Sequence, residues 1–78
     1  MKELATLLLY NFKPNSQNRK ILAHILRVGS ITQVEAHELY RVYRLASRIN
    51  DLKNKGLVFV KTRKTDLTGT SYTEYSLA

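Results

Sequence analysis

Arg41, Arg44, Arg48, Lys53, Lys55, Lys61, Arg63 and Lys64 place eight of the chain's thirteen basic side chains within residues 41–64, against the single acid Asp51. That stretch carries a net +7, residues 1–40 add +2 and residues 65–78 subtract 2, so the +7 of all 78 residues equals the charge of one segment. A surface that is charged only for solubility mixes its signs and spreads them. Concentration in one stretch points to a polyanionic partner. Within the stretch, Tyr43, Arg44, Ser47 and Asn50 are of types suited to base edges. Arginine pairs with guanine O6 and N7, asparagine with adenine, and serine with either. Arg41, Arg48, Lys61, Arg63 and Lys64 suit phosphates, contacts that position a protein without reading sequence. Arg19 and Lys20 could add one more. Two of the charges also have local readings: Asp51 as an i, i+4 partner of Lys55, and Arg48 as a clamp to Glu35 or Glu38.

Catalytic chemistry finds few candidates. The chain has no cysteine, hence no thiol nucleophile, thiolate zinc site or disulfide. It has no glycine-rich phosphate loop, and His24 and His37 lack metal-binding spacing such as H-E-x-x-H. Both read as surface histidines. Among the tyrosines, Tyr40, Tyr72 and Tyr75 read as packing residues, and Tyr43 is the exposed candidate for stacking. No enzyme activity, cofactor, metal or small-molecule substrate is expected.

The elements that must position these residues follow from the periodicity. Ser16 suits an N-cap, Ile21, Leu22, Ile25, Leu26 and Val28 form a helical stripe, and Gly29 ends it, which predicts a helix over 17–28. Thr32 and Glu35 form a capping box that opens a short helix to about Leu39 or Tyr40, with Ile31 before the cap as a staple onto Ala36 and with Ala36, Leu39 and Tyr40 turned inward. After a break at Arg41-Val42, Leu45, Ile49 and Leu52 predict a helix over 43–55, closed by Gly56. The β-branched run 57–62 and the segment 72–77 predict a hairpin around a loop from Lys64 to Ser71. Its strands must be antiparallel, because so short a connection cannot make a parallel crossover.

The order helix, short helix, helix, hairpin is that of an α+β winged helix-turn-helix, three helices plus a C-terminal two-stranded wing. The basic stretch then covers the third helix and the first wing strand. Residues 1–15 stand outside this domain of residues 16–78. Leu4, Leu7 and Leu8 fit a helical face there, although Thr6 to Tyr10 also suits a short buried strand before the turn at Lys13-Pro14-Asn15. This apolar segment is a candidate dimerisation element through Leu4, Leu7 and Leu8. The longest apolar run, Leu7 to Tyr10, falls far short of the roughly 20 residues of a membrane span, and Glu3 spoils the basic start of a signal peptide. A soluble, cytoplasmic single domain is expected.

Several strings carry a resemblance: S-Q-N at Ser16–Asn18, I-L-A-H-I-L at Ile21–Leu26, G-S-I-T-Q-V-E-A at Gly29–Ala36, R-L-A-S-R-I-N-D-L at Arg44–Leu52, then Gly56 and the closing Glu74-Tyr75-Ser76-Leu77. Over residues 16–78 the chain resembles a small winged helix-turn-helix family common in phages and prophages, whose members are described as DNA-binding proteins. The wing here is shorter than in longer members. The resemblance implies the winged-helix fold and DNA binding. Together with the charge it suggests a sequence-specific, double-stranded DNA-binding regulator of transcription, acting as a homodimer. An interaction module for an acidic protein, or an architectural or excision factor, are the alternatives on the same fold.

Overall fold

The computed structural model describes residues 2–78, in the order α1 (Lys2–Asn11), α2 (Gln17–Val28), β1 (Ile31–Thr32), α3 (Gln33–Tyr40), α4 (Leu45–Asn54), β2 (Phe59–Thr65) and β3 (Ser71–Leu77). The N-terminal segment is a helix and not a strand. Its Leu and Ala content favours helix, and Ala5, Leu8, Leu9 and Phe12 recur at helical spacing on the face that joins the core. Ala5 is fully buried, and the Arg19 guanidinium donates to the Phe12 carbonyl at 3.2 Å, fastening the chain between α1 and α2.

Helix α2 begins and ends on the two signals in its sequence. The Ser16 hydroxyl accepts from the Arg19 N–H at 3.1 Å. Gly29, at φ 106°, turns the chain out of the helix while its N–H still reaches the Ile25 carbonyl at 2.8 Å. Ile21, Leu22 and Ile25 are buried, whereas Val28, expected on the same stripe, is exposed at the last turn.

The sheet is larger than the expected hairpin. Ile31 and Thr32 pair antiparallel with Tyr75 and Glu74, giving three strands in the order β1-β3-β2. With α1, this makes four helices and a three-stranded sheet, where the sequence predicts three helices and two strands. The short β1 has a physical use. It pins Ile31, fully buried, over the core and leaves Thr32 extended, at φ −115° and ψ 166°, as an N-cap needs to be. The capping box then closes in both directions: the Glu35 N–H donates to Thr32 Oγ1 at 3.3 Å, and the Thr32 N–H donates to Glu35 Oε1 at 3.0 Å. In the hairpin, Phe59 faces Leu77 and Lys61 faces Tyr75 across the ladder. The strands run further than expected, so that Lys64 and Thr65 belong to β2 and the loop shrinks to residues 66–70.

Ile21, Leu22, Ile31, Leu45, Ile49 and Leu52 are the large side chains at the centre of the core, with Val42 sealing the turn before α4 and Leu57 the exit from it. Two burial assignments change. Leu39 is 59% exposed, because the eight residues of α3 make too short a helix to bury more than one stripe, and Ala36 occupies it. His24, expected at the surface, is 3% exposed on the inner side of α2. Its Nδ1 lies 2.7 Å from the Tyr40 hydroxyl, its ring meets that of Tyr40 edge-on, and its Nε2 faces the Glu35 carboxylate at 3.8 Å. A buried imidazole needs such partners. Tyr40 also accepts from Arg27 at 3.4 Å, so this polar string ties α2 to α3 beside the capping box.

Removing the Tyr40 hydroxyl leaves the buried His24 Nδ1 without its partner. Tyr40→Phe is expected to cost about 1–2 kcal/mol, read as a lower urea midpoint at unchanged slope, while Leu39→Ala stays within about 0.5 kcal/mol.

Candidate nucleic-acid interface

The chain between α3 and α4 is only four residues long, Arg41 to Arg44, and each takes a defined place. Arg41 is left-handed at φ 58°, the one non-glycine residue with positive φ among those described. A side chain there costs about 1 kcal/mol or more relative to glycine. It is held by its own N–H, which donates to the His37 carbonyl at 3.0 Å, and by the next N–H, of Val42, which reaches the Ala36 carbonyl at 3.0 Å. Val42 is buried. Tyr43 is 68% exposed and packs against His37 with ring centroids 4.8 Å apart. Arg44 occupies the N-cap position of α4 with no side-chain cap bond.

The missing cap is supplied from another helix. The Gln33 amide donates through Nε2 to the Val42 carbonyl at 3.0 Å and accepts through Oε1 from the Leu45 N–H at 3.0 Å. Leu45 is the first residue of α4, so Gln33 satisfies one of the helix's unpaired donors and clasps the turn shut in the same stroke. Gln33 is the interface residue that the sequence alone does not reveal. Nothing local marks it, because its partners lie 9 and 12 residues away.

This arrangement places α4 over residues 45–54, later than the expected 43–55. Tyr43 therefore stands in the turn and Arg44 at the helix entrance, both exposed. Ser47, half-buried, follows in the first turn and Asn50, exposed, one turn on. The opposite side of α4 sends Leu45, Ile49 and Leu52 into the core, as their spacing predicts. Arg48 is not clamped to Glu35 or Glu38. Its guanidinium meets Asp51 at 3.3 Å, one turn along the same helix, and this ion pair replaces the expected pairing of Asp51 with Lys55. Both separations bring side chains together on a helix; the half-buried Arg48 takes the nearer acid.

The hairpin divides its three cations. Residues opposite one another in a ladder point to the same side of the sheet, and successive residues alternate. Lys61 and Arg63 thus share the face on which Phe59, Tyr75 and Leu77 pack toward the helices, displaced toward the hairpin tip. Lys64 lies on the other face, where its ammonium meets Glu74 at 3.1 Å. Of the eight basic side chains between 41 and 64, Arg48 and Lys64 are thus paired, and Arg41, Arg44, Lys53, Lys55, Lys61 and Arg63 are exposed with no ion pair among the described residues. Arg19 is engaged with the Phe12 carbonyl; Lys20 is exposed. On α1, Leu4 and Leu7 face outward and Leu8 is half-buried against the core.

Beyond the cations the hairpin tip is fixed by one carboxylate. Asp66 Oδ1 accepts from the Thr68 hydroxyl at 2.6 Å, the Thr68 N–H at 2.9 Å and the Thr70 N–H at 3.0 Å. The Asp66 N–H donates to the Thr70 carbonyl at 3.0 Å, and Gly69, at φ 87°, closes the loop. The Thr68 hydroxyl first, then the Thr70 N–H, hold the Asp66 carboxyl below the usual carboxylate range.

Two outcomes follow from these contacts. Gln33→Ala removes both bonds of the clasp and is expected to cost about 1–2 kcal/mol. Amide exchange at Leu45 should accelerate more than exchange at Ile49 in the same helix; equal acceleration would mean that α4 does not depend on Gln33 for its start. For Asp66, the folded carboxyl is the stronger acid, so its contribution to the ordered tip is present above the unfolded pKa and lost as pH falls through the folded one. The amide resonances of Thr68 and Thr70 should titrate below the ordinary aspartate range and stop titrating in Asp66→Asn.

No helix among the described residues is long and apolar enough to cross a membrane. Comparison with curated proteins and with solved structures finds no match. A family model described as a winged helix-turn-helix domain matches residues 16–78. That span holds α2, α3, the clasped turn, α4 and the whole sheet, and it leaves α1 outside. By this match, and by the helix-turn-helix and wing in its structure, the chain belongs to the winged helix-turn-helix domain family, a DNA-binding fold that is typically non-enzymatic.

Proposed function

We propose that this protein is a sequence-specific double-stranded DNA-binding protein, a small transcriptional regulator of phage type that sets α4 in the major groove. The observation that carries this reading is the entrance to α4, where Tyr43 in the turn and Arg44 at the N-cap lead into Ser47 and Asn50 on a helix whose first residue is held by Gln33. The N-terminal end of a recognition helix is the part that reaches base edges. Arg44 would take guanine, Asn50 adenine, Ser47 either, and Tyr43 would pack on the bases or sugar beside them. Arg41 in the turn and Lys61 and Arg63 on the wing would meet phosphates on either side. Arg48 and Lys64 are weaker candidates for that role, since each already holds a carboxylate.

One such domain spans a short site, and a second copy would double it. The outward side of α1, with Leu4, Leu7 and Tyr10 exposed, would supply a homodimer contact. Leu8 contributes from beneath, through its packing on the core.

Selection of bound sequences from random duplex DNA, followed by titration at several salt concentrations, tests the reading. Neutralising four to six phosphates gives a slope of log K against log salt of about −4 to −5. Arg44→Ala should lower affinity for the selected site by about tenfold or more and relax preference at one base pair. Lys61→Ala should weaken all duplexes alike and shallow the salt slope by about one. Absence of duplex binding at low salt would overturn the proposal, and a protein partner retained from nuclease-treated lysate would then favour an acidic protein as the ligand of the basic face.

A further inference from the structure

Two features at opposite ends of β3 are unused by DNA binding, and they complement one another. At the tip of the wing, Leu67 is fully exposed, with a relative accessibility of 107%. A single exposed leucine needs no explanation of its own. Here the loop is fixed by the Asp66 carboxylate and its bonds to Thr68 and Thr70, so the leucine is presented on an ordered support beside a negative charge. The tip from 65 to 71 carries no basic residue, and Lys64 behind it is neutralised by Glu74. Such a tip is poorly suited to phosphates.

At the other end, beyond the last residues of β3, the C-terminal turn of α2 and the start of α1 enclose a recess of about 380 Å³. Leu26, Val28 and Leu77 give it apolar walls, and Lys2 and Arg27 bring cationic side chains to its edge. Val28 is more than half exposed there.

We propose that the wing tip of one copy docks in this recess of a second copy, with Leu67 entering between Leu26, Val28 and Leu77 and the Asp66 side meeting Lys2 and Arg27. The apolar knob with its acidic flank meets a recess of mixed apolar and polar lining with a basic rim. The two patches differ and lie at opposite ends of one strand, so the contact is head-to-tail. It does not close on itself, and successive copies extend a row. A contact of this size is far below the area of a stable dimer, so free association is weak. Copies already held side by side on a polyanion reach a high effective concentration, and there the contact would make binding cooperative.

The inference stands apart from the reading of α4, and its test needs no DNA. Leu67→Asp removes the knob and keeps the recess; Val28→Asp keeps the knob and puts a carboxylate in the recess. Both positions are exposed, so both variants should fold, which circular dichroism checks. By sedimentation equilibrium up to millimolar concentration, in a Leu7→Glu parent that removes the separate α1 contact proposed above, the mass should keep rising with concentration, and adding either substitution should weaken association at least tenfold. An equimolar mixture of the two should regain a 1:1 dimer and no larger species, because one good knob then meets one good recess. A Leu7→Glu parent that stays monomeric would overturn the proposal. So would variants that associate as that parent does, or a mixture that regains nothing.

Discussion

The Gln33 side chain is the constraint on which the rest of the candidate interface depends. A helix without an N-cap loses its first hydrogen-bond partners to water and frays, and Arg44 offers α4 no cap. Gln33 replaces it from the first position of α3, with one bond to the Leu45 N–H and one to the Val42 carbonyl. Because α3 is itself fixed by its capping box and by the pairing of Ile31 and Thr32 with β3, the entrance to α4 is referred back to the sheet. Tyr43, Arg44 and Ser47 inherit that placement. The left-handed Arg41 is the strained member of the same turn, retained between the Ala36 and His37 carbonyl bonds.

The charge is organised by the same frame. The sequence places a net +7 in residues 41–64, but folding sorts these side chains. Arg48 is spent on Asp51 and Lys64 on Glu74, while the alternation of β2 puts Lys61 and Arg63 on the helical side of the sheet. Ion pairs that remain this open to solvent contribute little to stability. Their effect is to remove two cations from the surface available to a polyanion and to concentrate the remainder on the turn, α4 and one face of the wing. The tip beyond them is neutral to acidic, which divides the wing into a cationic stem and an apolar end.

What was legible in the sequence was local. Ser16, Gly29 and the Thr32–Glu35 box act within a few residues of themselves, and each bounds a helix where its chemistry requires. The stripe Leu45, Ile49, Leu52 is buried as its period demands. What was not legible depended on distant partners. His24 reads as a surface residue until the Tyr40 hydroxyl, 16 positions away, supplies a partner that makes burial tolerable. The strand β1 has only two residues and exists because β3 passes beside it. The start of α4 shifts from 43 to 45 because Gln33 caps Leu45, a contact no window around the helix contains. The family match carries the DNA-binding fold, whereas the choice among Tyr43, Arg44, Ser47 and Asn50 rests on chemistry and exposure.

The central claim is that the turn, α4 and the wing stem form one surface for duplex DNA. Amide shift mapping of the labelled protein with a short duplex tests it most directly. On a duplex long enough for one copy only, perturbations are expected from Arg41 to Asn50 and at Lys61 and Arg63, with α1 and the tip residues Leu67 to Thr70 unmoved. Perturbations confined to α1 or to the wing tip, or none at low salt, would contradict it.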